Sequence, residues 1–185
     1  MSTVNQNDLR IKNSKNLIDS FNTTDSALAY LFIGKPTAWA TGDNNPPVPT
    51  NNFKQFYQVY DEMLSLKKIT DLDAYHMVPR ITWTSGLTYD IYRDDYGSLK
   101  TSSSTEKVKS FSNQTNLYDC RYFVINSSNF VYVCLDNNNN TPSTVEPQDV
   151  NDEAFYTSDG YQWLKLYSLS GTELLDYASD DFMPI

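Results

Sequence analysis

The 185-residue sequence holds one histidine, two cysteines and six glycines, and each shortage removes a chemistry. A Ser-His-Asp triad could be built only around His76, which sits between Tyr75 and Met77 in a strand-like stretch. Two cysteines and that histidine fall short of the closely spaced Cys and His ligands that zinc takes. The Gly34-Lys35 pair is followed by proline and lacks a glycine at position 29, so it makes no phosphate-cradling loop. No G-x-S-x-G elbow occurs either. Basic residues are also scarce: 14 Lys and Arg against 23 Asp and Glu leave a net charge of −9. That field repels phosphate backbones, so nucleic acid is excluded as an expected partner. No run approaches the roughly 20 apolar residues that span a bilayer. The N-terminal MSTVNQNDLRIKNSK lacks the apolar centre of a signal peptide, so folding is expected in a cytoplasm with no membrane partner. No catalytic residue, metal or cofactor is expected.

What the chain does have is aromatic surface. Aromatics make up 14% of the residues, led by 14 tyrosines, a type suited to half-buried positions and to partner interfaces. The apolar residues come in blocks, and the length suffices for a single domain over 1–185 with a true core. Cys120 and Cys134 flank a predicted hairpin. They either face each other or stay as reduced, packed thiols, and the cytoplasmic reading favours thiols.

The spacing of Leu9, Leu17, Ile18 and Phe21 predicts a short helix over 8–21, ended by NTTDS. ALAYLFIG (27–34) reads as a strand, and TGDNNPPVPT (41–50) as a proline-stiffened loop. A long helix is predicted over 51–69. Phe53, Phe56, Tyr57, Tyr60, Met63, Leu64 and Lys67 would form a stripe docked on a sheet, with Thr50 or Asn51 as cap and Lys67 and Lys68 at the C-terminal end. AYHMVPRITW (74–83) reads as an edge or bulged strand because Pro79 cannot donate to a ladder. SGLTYDIYRDDYG alternates loosely, and 98–116 reads as a long mobile loop. A hairpin follows, CRYFVIN and FVYVCLD around Ser127-Ser128-Asn129, apolar on both faces and so expected to be covered on both. DGYQWLKLYSLS supplies a further strand, GTELLDYAS a short helix, and DDFMPI trails out. Strands and helices do not alternate regularly, which predicts an α+β fold: an antiparallel or mixed sheet or sandwich core with a few packed helices.

Chemistry-bearing constellations are thin. Adjacent Asp94-Asp95 and Asp180-Asp181 would point to opposite faces of a strand, so they read as solvated loop charges rather than a glycosidase pair. Asp136 through Asn140 could offer oxygens to calcium but lack the glycine and terminal glutamate of an EF-hand loop. A turn built on local asparagine hydrogen bonds explains them more simply. The tryptophans of KPTAWATG and RITWTSG could stack on a sugar, while a buried Trp with its indole N–H bonded is the commoner arrangement.

YLFIGKPTAW followed by NNPPVPT, then VPRITWTSGLTYDIYRDDY, then FVINSSNFVYVCLDNNNNTPSTVEP, and lastly DGYQWLKLYSLS closing on DFMPI resemble, in order and content, a known family. It is the baseplate wedge subunit eight family of T4-like contractile-tailed bacteriophages, in its N-terminal portion. The resemblance runs from about residue 8 to the end, and the run from the hairpin through CLDNNNNTPSTVEP to DGYQW is its most specific part. It implies a non-enzymatic subunit of the virion tail baseplate, made in the bacterial host cytoplasm. The implied partners are other wedge or tail proteins and a second copy in a homodimer, and the implied domains are β-rich with added helices. Family members continue past the equivalent of DFMPI with further domains, so surfaces on that part are not carried over.

Within this reading the polar segment after the hairpin, 136–149, becomes a candidate protein interface. Its residues are Asp136, Asn137, Asn138, Asn139, Asn140, Thr141, Pro142 and Glu146, with an ordinary solvent loop as the equal alternative. The expected function is a structural part of a phage tail. The alternative is a carbohydrate- or receptor-binding module of such a tail, decided by whether Trp39, Trp83 and Trp163 are exposed. A small hydrolase would need two acids converging in one cleft.

Overall fold

The computed structural model describes residues 6–21, 29–34, 36–48, 51–102 and 105–185. Contacts gather into two compact units, Met1–Tyr75 and His76–Ile185. Among the described residues the secondary structure is α+β, as expected, with antiparallel sheets of two, two and four strands.

The first unit contains α1 (Gln6–Ser20), β1 (Tyr30–Gly34), α2 (Phe53–Asp61), β2 (Met63–Lys68) and a 3-10 turn, Asp71–Asp73. NTTDS, the first two residues of the predicted 27–34 strand, and the proposed cap Thr50 lie outside the described residues. The helix expected over 51–69 is corrected: it ends at Asp61, and the next residues form a strand. The reason lies in pairing partners. Met63, Leu64 and Lys67 continue the helical spacing while Leu64 and Leu66 alternate as in a strand, and the strand is chosen because β1 lies antiparallel to it, Tyr30 opposite Lys68 and Gly34 opposite Met63. Gly34 permits the join, since a Cβ there would stand 3.0 Å from the Glu62 carbonyl oxygen. Lys67 therefore sits at no helix end; its ammonium reaches the Asp73 carboxylate at 2.5 Å. The docking expected of the stripe is also corrected, because Phe53, Tyr57 and Tyr60 are exposed.

The second unit is built on a four-stranded sheet of order β4-β5-β7-β6, where β4 is Phe123–Ile125, β5 Phe130–Asn137, β6 Phe155–Tyr156 and β7 Tyr161–Ser168. Its hairpin turns at Ser127-Ser128-Asn129, as predicted, with Asn129 left-handed at φ 65°. Asn126 fixes that turn: its Oδ1 accepts the amides of Ser128 and Phe130, both at 2.9 Å. The sheet is covered on both faces, again as expected. One face packs Tyr89, Val124, Tyr132, Cys134, Tyr161 and Trp163; the other packs Ile125, Val131, Leu169 and Met183. Neighbouring residues of β4, Val124 and Ile125, fall into opposite clusters, as the two-residue period of a strand requires. Tyr161 stacks on Trp163 with ring centroids 5.5 Å apart, and Tyr89 meets Trp163 edge-on at 5.7 Å. Burying an aromatic of this size contributes about 2–3 kcal/mol.

The rest of this unit closes around that sheet. β3 (Met77–Pro79) pairs with β8 (Phe182–Pro184). The expectation that DDFMPI trails out is thus corrected: three residues are too few to show a period, but Met183 is wholly buried and pins the strand. α3 (Gly171–Tyr177) is where a short helix was expected, opened by a capping box in which the Ser170 hydroxyl accepts from the Glu173 amide at 3.1 Å. Residues 98–116, apart from 103–104, hold a Leu99–Lys107 bridge and a Val108-to-Ser98 amide–carbonyl bond of 2.8 Å. Both cysteines are buried free thiols.

Candidate functional site

β5 ends in a left-handed turn. Asn138, Asn139 and Asn140 have φ of 48°, 56° and 65°, a conformation that asparagine tolerates better than other side chains bearing a Cβ. The turn is held by its own carboxamides. The Asp136 carboxylate accepts from the Asn138 amide at 2.8 Å, and the Asn137 side-chain oxygen accepts from the Asn140 amide at 3.0 Å. Asn137 is buried and donates to the Tyr89 carbonyl and to the Asn140 side-chain oxygen, both at 2.9 Å. Burial and this geometry place Asn137 inside the molecule, while Asn138, Asn139, Asn140, Thr141 and Pro142 are exposed and Asp136 is half-buried.

Beyond the turn, the chain from Thr141 to Pro147 is clasped to its own unit. The Ser143 amide donates to the Leu87 carbonyl at 2.8 Å, and the Gly86 amide returns a bond to the Ser143 carbonyl at 2.7 Å. The Ser143 hydroxyl accepts the Trp83 indole N–H at 3.1 Å. Tyr161 donates its hydroxyl to the Thr141 carbonyl at 2.5 Å. Glu146 accepts from the Ser127 amide at 2.7 Å and from its hydroxyl at 3.0 Å, and Asn126 donates to the Pro147 carbonyl at 2.8 Å. Apolar strand thus gives way to polar loop because the loop's backbone groups are needed to seal one end of the sheet.

One residue at the centre of this clasp escaped the sequence reading. Asp159 accepts from the Thr144 amide (2.7 Å), the Val145 amide (2.9 Å) and the Ser143 hydroxyl (3.1 Å) through one oxygen, and from the Thr157 hydroxyl (2.5 Å) through the other. Partial burial raises its pKa, but these donors outweigh the burial and hold the carboxyl below the usual range. The signal was the Asp159-Gly160 turn pair in TSDGY. Asp90, also unforeseen, is buried and accepts from the Ser112 amide and hydroxyl (2.8 and 2.6 Å) and the Arg121 amide (2.9 Å). Burial opposes its ionisation, and the donors still leave its pKa lowered.

The other candidates stay apart. Trp163 is 0% exposed, and Trp39 and Trp83 are half-buried. Trp163 therefore offers no platform to a sugar. Asp94, Asp180 and Asp181 are exposed, and Asp95 pairs with Arg93 at 2.6 Å. The His76 carbonyl accepts from the Ile185 amide at 3.0 Å. Among the described residues no group of three His, Cys, Asp or Glu is placed to hold a metal, and no helix is long and apolar enough to cross a membrane.

The second feature the sequence reading lacked is in the first unit. The β1–β2 ribbon is exposed along nearly its whole length on both faces: Leu31, Phe32, Ile33, Leu64 and Leu66 all face out, Ile33 at 64% and Leu64 at 65%. A two-stranded ribbon with apolar side chains on both faces has little to stabilise it alone. The missing clue was the strand at 63–68, which the helical period concealed. No protein-family model, curated protein or solved structure matches this chain.

Proposed function

We propose that the protein is a structural subunit of a contractile-tail baseplate wedge, acting in virion assembly through protein–protein contacts. The observation that carries this reading is the two-faced apolar ribbon Tyr30–Gly34 with Met63–Lys68. Covering Ile33 and Leu64 against a neighbouring subunit would contribute about 1–2 kcal/mol each. The likeness of the hairpin-to-DGYQW run to the wedge family supplies the partner class: other wedge or tail proteins, or a second copy. The polar clasp of the second unit supports the same reading, because its hydrogen bonds serve rigidity and leave the exposed asparagines as a fixed contact surface. On this reading the protein resides in the tail baseplate, turns over no substrate and holds no cofactor.

The test is incorporation. Purified tails should contain the wild-type chain in fixed stoichiometry by quantitative mass spectrometry. The double substitution Ile33→Lys and Leu64→Lys should reduce its incorporation about tenfold or more while the second unit keeps its fold by NMR. Full incorporation of that variant, or absence of the wild-type chain from tails, would overturn the reading.

A further inference from the structure

The unit His76–Ile185 carries seven Lys and Arg against fifteen Asp and Glu, yet Arg93, Lys100, Lys107 and Lys109 all fall between 93 and 109. Two of these, Arg93 and Lys109, help wall a groove of about 400 Å³ beside the asparagine turn. Asp136, Asn139, Asn140 and Phe111 complete its working rim. The lining is mixed: two cations, one carboxylate, three carboxamides with the buried Asn137 among them, and two aromatic rings, of which Phe111 is 54% exposed.

We infer that this groove binds a saccharide bearing a carboxylate. A sugar hydroxyl donates and accepts at once, and a carboxamide matches it with both functions in one plane. Asn139 and Asn140 present that pair from a backbone already fixed in the left-handed region, so little ordering is left for a ligand to impose. Asn137 beneath them is committed to the fold and holds the Asn140 carboxamide by its oxygen, a bond that does not use the Asn140 amide N–H groups. Asp136 spends one oxygen on the Asn138 amide, and the other can accept from a sugar hydroxyl. Phe111 offers a flat apolar face to the C–H side of a pyranose ring.

The charge preference follows from how the two cations are occupied. Arg93 is held by Asp95 through two bonds, of 2.8 and 2.6 Å, and is already neutralised. Lys109 bonds to the neutral Asn113 side-chain oxygen at 3.0 Å. Its charge also reaches the Glu106 carboxylate, but that carboxylate is ion-paired with Lys100 at 2.9 Å, so Lys109 can turn to a ligand carboxylate. One such cation beside Asp136 suits a singly charged sugar unit. A polyphosphate or nucleic acid would meet Asp136 and the acidic surface around it. An apolar ligand would strip water from these polar groups without return.

This inference does not depend on the apolar ribbon, since none of its residues lies there, and it shares only the exposed asparagines with the assembly reading. The full chain is tested on an array of glycans with glucuronate, galacturonate, sialate or neutral termini, and hits are quantified by titration calorimetry. At least one acidic glycan should bind saturably, at least about tenfold more tightly than its neutral counterpart. Asn139→Gly, which keeps the turn's backbone freedom, and Lys109→Gln should each weaken that binding about tenfold with an unchanged melting temperature. Absence of acidic-glycan binding by the folded chain, equal affinity for the neutral counterpart, or binding untouched by both substitutions would overturn the proposal.

Discussion

Asp159 shows how one side chain can organise a segment many times its size. Its carboxylate meets donors from residues 143, 144, 145 and 157, so the polar stretch after the asparagines is held by a single acceptor. Asp159→Asn turns one acceptor oxygen into a donor that faces other donors. It should cost about 3 kcal/mol of stability by urea unfolding at neutral pH. The pH dependence has a definite sign. Asp159, Asp90 and Glu146 are each held below their ordinary values, by hydrogen bonds that outweigh the burial opposing them. Their stabilisation is present above the unfolded carboxylate value, about 4, and is lost as pH falls through the lower folded values. The melting temperature should hold steady from about pH 5 upward and fall below about pH 4. The Asp159→Asn variant should show a shallower acid fall, and an unchanged one would mean that Asp159 is not the group titrating.

At the level of elements, the legible parts were those with a local cause. The hairpin around Ser127-Ser128-Asn129 could be read because two apolar runs flank a short polar turn, and α3 because its capping pair sits in plain order, Ser170 then Glu173. The 51–69 stretch misled because Leu64 belongs both to the helical spacing of Tyr60, Met63 and Lys67 and to the strand alternation with Leu66, and the choice between them is made by β1, about thirty residues away in sequence. β8 was hidden for a similar reason: its partner is β3, at the far end of the unit. Of the candidate interface loop, the left-handed turn was legible in the asparagines themselves, whereas its anchor in Asp159 depends on a contact across 14 to 16 positions. The ring of contacts around Gly160 gives this level its test. Gly160 has φ of 84°, and a Cβ on it would lie 2.8 Å from the Asn138 side chain. Gly160→Ala should therefore destabilise by about 2 kcal/mol. Adding Asn138→Gly should restore part of that loss, as read from urea midpoints in a double-mutant cycle.

The whole molecule divides its labour unevenly. Both buried clusters lie within His76–Ile185, and the charge is concentrated there too, while Met1–Tyr75 carries the exposed ribbon. A fragment of residues 76–185 should accordingly unfold in one cooperative transition, with backbone chemical shifts matching those of the same residues in the full chain. Broad, non-cooperative melting of that fragment would show that the division is wrong.

The pairing of β3 with β8 carries a kinetic consequence. The Arg80 guanidinium reaches the Ser179 carbonyl across 99 positions, and Met183 completes the second buried cluster only when that distance has been closed. Lengthening such an excursion adds little to the equilibrium penalty, since each doubling adds only about 0.6 kcal/mol, but it lengthens the search for the right encounter. The hairpin should acquire amide protection early during refolding and the terminal strand last, leaving a brief interval in which one face of the sheet stands uncovered and most prone to capture by another chain.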